Sequence, residues 1–508
     1  MFLLEKFESI ESRRFLITMP PRVHYLLIAF CFTFTSIAFA QKKPNILFIC
    51  VDDLRTELGS YGNPIVKSPN LDKLSDQGRL FNNHFVQVPT CGASRHCLLT
   101  GKRPIEKRYL SNSISAQLSV DKVEGKIPES FVHHFKRNGY NTVGIGKISH
   151  YPDGYVYGYD EEKSDQLEFP FSWGESLSDV GGWGTAWNTF FAYSGYKNRT
   201  TEKKQVKPYE SADVEDDGYP DGLNAQLAIK KLNELKDKEE PFLLAVGFFK
   251  PHLPFTAPKK YWDLYDRNNI PLSPNPFLVE NSEKNSLHKS GEFNGYALGE
   301  EKAALGKPLS DDYARKLKHG YYACISYVDA QIGKLLDELD RTGLSENTIV
   351  VVWGDHGWHL GDHTVWGKHT VFERSLKSTL IMRLPNQSKK GKSTDAVVET
   401  VDIYPTLTEL CGIADVEGLD GQSLVSLLNN PKAQNEEVAY SYFKNSITMR
   451  NDRYRLTKYY GEDGIVYELY DHKSDPNETI NVSAKYPDIV DKLKPVLEKG
   501  NTGLFDRL

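Results

Sequence analysis

Four apolar runs rich in β-branched residues, 43–53 (KPNILFICVDD), 142–145, 242–249 and 348–353, each end at or next to charged or imidazole-bearing residues. An uninterrupted apolar run of this length suits a strand buried on both faces, because a half-exposed strand would alternate with polar residues. Helical periodicity fills the intervals, at 128–138 and at 311–339, where apolar residues recur at three- and four-residue spacing. Strands alternating with helices predict an α/β fold, a large and mostly parallel sheet flanked by helices. Ligands of such sheets gather at the carboxyl ends of the strands. Asp52, Asp53, Lys147, His252 and Asp355 all lie just past those ends.

The flanking segments set the boundaries. The apolar run 25–40 follows Arg22 and His24 and closes on Ala38-Phe39-Ala40, the pattern of a cleaved signal peptide covering residues 1–40. At about 16 residues the run falls short of the roughly 20 that a membrane span needs. Translation starts at Met1 or Met19, and the product is expected to be exported, periplasmic or secreted, with no stable membrane span. A net charge of -6 speaks against a nucleic-acid surface. Any anionic ligand must then be held by a local cluster of basic groups. Cys50, Cys91, Cys97, Cys324 and Cys411 remain after cleavage, an odd number, so at least one thiol stays outside any intramolecular disulfide. Residues 274–307, rich in Gly, Ser, Asn and charge, are expected to form a surface insertion. Beyond Gly421, short strands at 438–443, 446–450, 453–459 and 466–470 precede a helix at 487–499. The expected division is a catalytic domain over 41–425 and a smaller antiparallel-sheet and helix subdomain over 426–508.

The strongest chemical signal is Pro89-Thr-Cys-Gly-Ala-Ser-Arg-His-Cys-Leu-Leu-Thr-Gly101. A turn of small residues leads into a helix with Cys91 about at its N-cap and Arg95 one turn later on the same face. The positive helix end and the guanidinium both favour negative charge there. Rival readings of Cys91 are a buried structural thiol, a tyrosine-phosphatase loop and a zinc site with His96 and Cys97. The phosphatase loop needs five residues between Cys and Arg, and the zinc site lacks a standard spacing. Asp52 and Asp53 are adjacent acids at a strand end, costly to bury together unless a cation joins them. Gly354-Asp-His-Gly357 repeats the arrangement on another strand. His356, His359 and His363 also read as a possible histidine cluster for zinc, although Gly357 and Gly361 argue against a regular helix there.

Val51-Asp-Asp, then Cys91-x-Ala-Ser-Arg-x-x-x-Leu-Thr-Gly101, then Gly354-Asp-His-Gly357 together resemble the type I sulfatases, of the alkaline-phosphatase-like superfamily. Residues 51–62, Lys250-Pro-His-Leu-Pro-Phe255 and 354–363 are most similar to the iduronate-2-sulfatase branch. The resemblance spans about residue 43 to Asp475-Pro-Asn-Glu478. It implies that Cys91 is oxidised to formylglycine by a sulfatase-maturating enzyme. It also implies that Asp52, Asp53, Asp355 and His356 bind calcium together with an oxygen of the modified Cys91. Arg95 would steady the formylglycine hydrate, and Lys147 and Lys368 would grip sulfate oxygens. His150 would stand beside the nucleophile and His252 near the leaving oxygen. Ala93 stands where many members carry Pro, so the oxidising partner must accept Ala there. His356 replaces the Asn of many arylsulfatases, an unusual partner for a hard cation that prefers oxygen. The implied substrate is a sulfated glycan, such as a glycosaminoglycan or ulvan. A phosphate or phosphonate monoester hydrolase on the same scaffold and a catalytically inactive glycan-binding protein are the alternatives.

Overall fold

The computed structural model describes residues 42–414, 416–435 and 438–505; the expected signal peptide, with both candidate start residues, lies outside them. Eight strands form the large sheet: β1 (Asn45–Val51), β2 (Arg79–Phe85), β3 (Asn141–Gly146), β4 (Glu175–Leu177), β5 (Phe242–Phe248), β6 (Thr348–Gly354), β7 (Leu380–Arg383) and β8 (Lys392–Glu399). Their spatial order is β8-β2-β7-β6-β1-β5-β3-β4. Every neighbouring pair is parallel except those made by β7, which runs antiparallel to both β2 and β6. The expected α/β architecture is therefore the observed one, with a single reversed strand inside it.

The unbroken apolar runs follow from burial on two faces. Along β1, Leu47, Ile49 and Val51 enter one core and Ile46, Phe48 and Cys50 the other, all of them fully buried. Four helices matter below: α1 (Cys91–Thr100), α2 (Pro220–Leu235), α3 (Asp311–Arg341) and α4 (Pro487–Glu498). The first core takes Ala225 and Leu232 of α2 and Leu317, Tyr321, Val328 and Leu335 of α3. The second takes Leu98 and Leu99 of α1 with Phe131, Tyr404 and Leu407. Each such buried aliphatic or aromatic side chain contributes roughly 1.5–3 kcal/mol. At the start of α3 the Ser310 hydroxyl accepts the Tyr313 N–H, and Asp311 and Asp312 complement the helix dipole.

Strand register decides where the chemistry gathers. Val51 lies opposite both Phe248 and Gly354, and Gly146 lies opposite Gly247. Four strands thus end at one level, and the segments that follow them emerge side by side. Gly247 permits this closeness, since a Cβ there would stand 2.1 Å from the Lys147 carbonyl oxygen.

The second sheet is antiparallel, in the order β9 (Ala439–Phe443), β10 (Ser446–Arg450), β11 (Tyr454–Gly461), β12 (Gly464–Asp471). Met449, Leu456 and Leu469 pack under Val490, Leu493 and Leu497 of α4. The sheet is tied back to the first by the Tyr442 N–H, which donates to the Gln87 carbonyl at 2.7 Å. Arg455 forms a buried ion pair with Glu478 at 2.6 Å and another with Glu373 at 2.6 Å, and Arg450 adds a contact to Glu373 at 3.1 Å.

Residues 274–307 depart from expectation. They are not a mere surface insertion, because Asn275, Ser286, Ser290, Phe293 and Tyr296 are buried. Their polar composition reflects bonds made inward. Asn275 donates to the Asn477 carbonyl at 2.9 Å, and the Ser290 hydroxyl accepts the Trp366 N–H at 2.9 Å.

Removing one partner from a buried ion pair leaves the other charge uncompensated. Arg455→Met should therefore destabilise the protein by about 3–5 kcal/mol in chemical denaturation. Combining it with Glu478→Gln should recover part of that loss, because one stranded carboxylate is then neutral.

Candidate active site

Asp52 and Asp53 leave β1, Asp355 and His356 leave β6, and Cys91 opens α1, all of them buried. Thr90 rather than Cys91 occupies the N-cap, and Cys91 is the first helical residue. Two links lock the strand ends together. The Asp53 N–H donates to Asp355 Oδ1 at 2.9 Å, and the Asp355 N–H donates to the Val51 carbonyl at 3.2 Å. Asp53 adopts a left-handed backbone, φ 59°, and its carbonyl is held by the Tyr321 hydroxyl at 2.6 Å.

Around the Cys91 thiol, Lys368 Nζ lies at 3.2 Å and His356 Nε2 at 3.3 Å. Lys368 also donates to Asp53 Oδ1 at 3.0 Å, while Lys147 Nζ pairs with Asp52 Oδ2 at 2.5 Å and sits 4.0 Å over the Phe190 ring. Arg95 lies on the expected helix face but spends its donors elsewhere. Its Nε bonds Asp355 Oδ2 at 3.0 Å, its Nη1 bonds the Lys147 and Ile148 carbonyls, and its Nη2 is 3.6 Å from Asp52 Oδ1. It braces the carboxylates and the Lys147 segment from beneath.

His252 Nδ1 contacts the Leu253 carbonyl at 2.6 Å, so it carries the proton, and Nε2 faces the site, 3.8 Å from Asp53 Oδ2. His150 stands half-buried against Tyr151 and Trp187 and makes no hydrogen bond through its Nδ1. Burial, reinforced by the Lys147 charge, holds its pKa well below the usual imidazole value.

The two histidine-based zinc readings dissolve. His359 bonds the Asp362 carbonyl and the Thr370 hydroxyl, and His363 bonds the Asn477 carbonyl. His96 turns to the Ser115 hydroxyl at 3.1 Å.

Burial is the largest influence on both strand-end acids, and it acts to raise them. Lys147, His252 and Arg95 overcome it at Asp52 and hold that carboxyl well below its ordinary value; at Asp53 burial wins. Burial and the Asp52 charge push the Cys91 thiol up to about 12.

Ligand atoms of Asp52, Asp53, Cys91 and His356 lie within 4.8 Å of one another, a grouping that could hold a metal ion. Asp355 adjoins that set, its Oδ1 accepting from the Asp53 N–H and its Oδ2 from Arg95. Asp52 Oδ1 is buried without a hydrogen-bond donor. A bare carboxylate oxygen beside a second carboxyl that burial disfavours as an anion is what a divalent cation would satisfy.

Glu292, in the segment 274–307, completes the wall. Its Oε1 is 3.0 Å from His252 Nε2 and its Oε2 is 3.7 Å from Lys368 Nζ. No motif marked it, since its neighbours Gly291, Phe293 and Asn294 are ordinary turn and packing residues.

With this geometry in hand, comparisons are decisive. A family model described as Sulfatase matches residues 44–413, most of the chain. The chain belongs to the sulfatase family. A second model, described as N-sulphoglucosamine sulphohydrolase, C-terminal, matches residues 361–502. A sulfatase from Formosa agariphila is 31% identical over 471 residues, covering 90% of this chain and 87% of the relative. Iduronate 2-sulfatase from Mus musculus is 32% identical over 432 residues, covering 76% and 73%. A solved structure in complex with its substrate D-glucosamine-2-N,6-O-disulfate shares the fold, at TM-score 0.67 and 21% identity over 92% of this chain and 99% of that one. The sulfatase is thus a sulfuric ester hydrolase. Among the described residues, no helix is long and apolar enough to cross a membrane.

A hard divalent cation should stabilise this sulfatase, by about 2.7 kcal/mol at a hundredfold excess over Kd. Thermal melts with added calcium or with a chelator would read this as a shift in Tm. Asp53→Asn should remove most of the shift and also lower the metal-free Tm, since it takes the carboxyl partner at 3.0 Å from the buried Lys368 ammonium.

Proposed function

We propose that this sulfatase is exported and removes sulfate esters from a sulfated polysaccharide or oligosaccharide, using a formylglycine made from Cys91. The observation that carries the reading is the convergence of Lys368, His356 and the two strand-end acids on one thiol at the tip of α1. The thiol itself is a poor nucleophile there, because burial keeps it protonated. Oxidation of position 91 by a maturating enzyme would supply, as an aldehyde hydrate, a hydroxyl able to attack sulfur. Asp52, Asp53, Asp355 and His356 are the residues assigned to hold calcium, which would supply a Lewis acid for the sulfate oxygens.

The remaining work falls to side chains of the protein. Lys147 and Lys368 carry ammonium groups that bind sulfate oxygens and stabilise charge as it redistributes during transfer. Arg95 fixes Asp52, Asp355 and the Lys147 segment, so these groups need no reorganisation when the substrate arrives. His252, its Nδ1 donating to Leu253, is the candidate to protonate the departing sugar oxygen in its doubly protonated form, in which the Nε2 proton is held by Glu292 at 3.0 Å against the downward pull of burial on its pKa. His150, held neutral, is the candidate to accept a proton from the residue at position 91.

The substrate class follows the relatives whose names concern sulfated sugars, iduronate 2-sulfatase among them, and the disulfated glucosamine bound in the structural neighbour. A signal peptide over residues 1–40 delivers the enzyme to the periplasm or outside the cell. The catalytic domain occupies 41–425, and 426–508 form a subdomain that closes against it.

Protein co-expressed with a maturating enzyme should show a mass loss of about 18 Da on the peptide containing Cys91, distinct from oxidations that add oxygen. It should release sulfate from 4-nitrophenyl sulfate and from sulfated oligosaccharides much faster than phosphate from 4-nitrophenyl phosphate. Cys91→Ala should keep the wild-type melting curve and lose turnover by on the order of 10³-fold or more. Wild-type turnover in that variant would refute the mechanism.

A further inference from the structure

Glu292 reaches the site from a segment that is not part of the large sheet, and its placement is built rather than incidental. The turn before it is bound to the strand-like segment carrying Lys368. His288 Nε2 donates to the Lys368 carbonyl, the Ser290 N–H donates to His288 Nδ1 at 3.0 Å, and the Ser290 hydroxyl accepts the Trp366 N–H. Ser290 takes a left-handed backbone, φ 52°, to make the corner, and Phe293 anchors the far side in the first core. The result is a carboxylate in contact with His252 at 3.0 Å and 3.7 Å from Lys368.

Its exposure sets it apart. The side chains of Asp52, Asp53, His252, His356 and Lys368 are at most 4% exposed, whereas Glu292 is 32% exposed. Glu292 is therefore the member of this group that faces the entrance. Burial would raise its pKa, but Lys368 and His252 hold it well below the ordinary value, so it faces the entrance as an anion.

We infer that Glu292 is a specificity-determining residue that accepts a hydrogen bond from a free sugar hydroxyl next to the sulfated carbon. This rests on the sulfatase reading above, in which His252 serves the leaving oxygen and Lys368 a sulfate oxygen. A carboxylate touching both groups stands beside the C–O–S linkage. In a sugar, the donor nearest that linkage is the hydroxyl on the adjacent ring carbon. A carboxylate accepts such a hydroxyl strongly and repels a second sulfate or carboxylate in its place. The substrate class is thereby narrowed to sugar sulfates with an unsubstituted neighbouring hydroxyl, and vicinal disulfates are disfavoured.

The test uses the mature enzyme with the monosulfated methyl glycoside it hydrolyses best, the deoxy counterpart lacking the neighbouring hydroxyl, and 4-nitrophenyl sulfate. The wild type should prefer the hydroxylated glycoside by about tenfold to a hundredfold in kcat/KM, the range for a hydrogen bond to a charged group. Glu292→Ala and Glu292→Gln should compress that ratio towards unity. The ratio is internal to each variant, so general damage to His252 or Lys368 cancels. A wild type that hydrolyses 4-nitrophenyl sulfate but shows no preference, or a Glu292→Ala variant that keeps the full preference, overturns the inference alone. A wild type that hydrolyses none of the three overturns the sulfatase reading and this inference with it.

Discussion

The site depends on a charge balance held out of water. Three carboxyl groups, on Asp52, Asp53 and Asp355, meet three basic side chains, on Arg95, Lys147 and Lys368, all buried. Placing any one of these ions alone in such an interior costs several kcal/mol even after relaxation. The array is tolerable only because each charge has an opposite partner within about 4 Å. That requirement fixes the residues around it. Arg95 must come from the buried second turn of α1, and Lys147 must leave β3 beside Gly247.

The parallel sheet makes the balance geometrically possible. Because Val51, Phe248 and Gly354 share one level, two acids from β1 and the acid and imidazole following β6 meet without long loops. The segment after β5 brings His252 to the same level. Backbone bonds between the strand-end segments then set side-chain positions with little freedom left to lose on substrate binding. Oxygen atoms that no donor reaches, such as Asp52 Oδ1, are where the protein's own pairing stops short and a cation would complete it.

Much of this was legible in the chain because the central strands are buried on both faces. Residues 43–53, 242–249 and 348–353 carry no alternation to confuse the reading, and their terminal acids stand out against it. The strand Arg79–Phe85 was harder, because its RLFNNHF sequence mixes buried and half-buried positions. The antiparallel strand Leu380–Arg383 is too short to reveal its direction. Arg95 follows Cys91 by one helical turn, but its partners come from three distant segments that no spacing rule connects. Glu292 was invisible for the same reason. Its segment looked like surface because Ser290 and Asn275 are polar, and only the fold reveals that they are bonded inward. In the C-terminal sheet the two-residue spacing of Tyr440 and Tyr442 and of Ile447 and Met449 shows in the sequence, although these strands are largely buried.

The state of Cys91 ties the electrostatics to the chemistry. A thiolate there would add a further negative charge to a buried array whose cations are already committed, and burial and the proximity of Asp52 make that addition unfavourable. The neutral thiol upsets nothing, so the fold has no need of the modification. On the proposed mechanism reactivity needs it, because the same burial that shelters the ion pairs suppresses the thiolate. A neutral hydrate at position 91 would escape this conflict. It offers an oxygen nucleophile whose proton can be removed late, when positive charge is balanced by an incoming sulfate. On the proposed mechanism this separation would make one position almost irrelevant to stability and indispensable to turnover. In the same reading Lys368, 3.2 Å from that sulfur and bound to Asp53, would serve the folded state and the reaction through the same ammonium group.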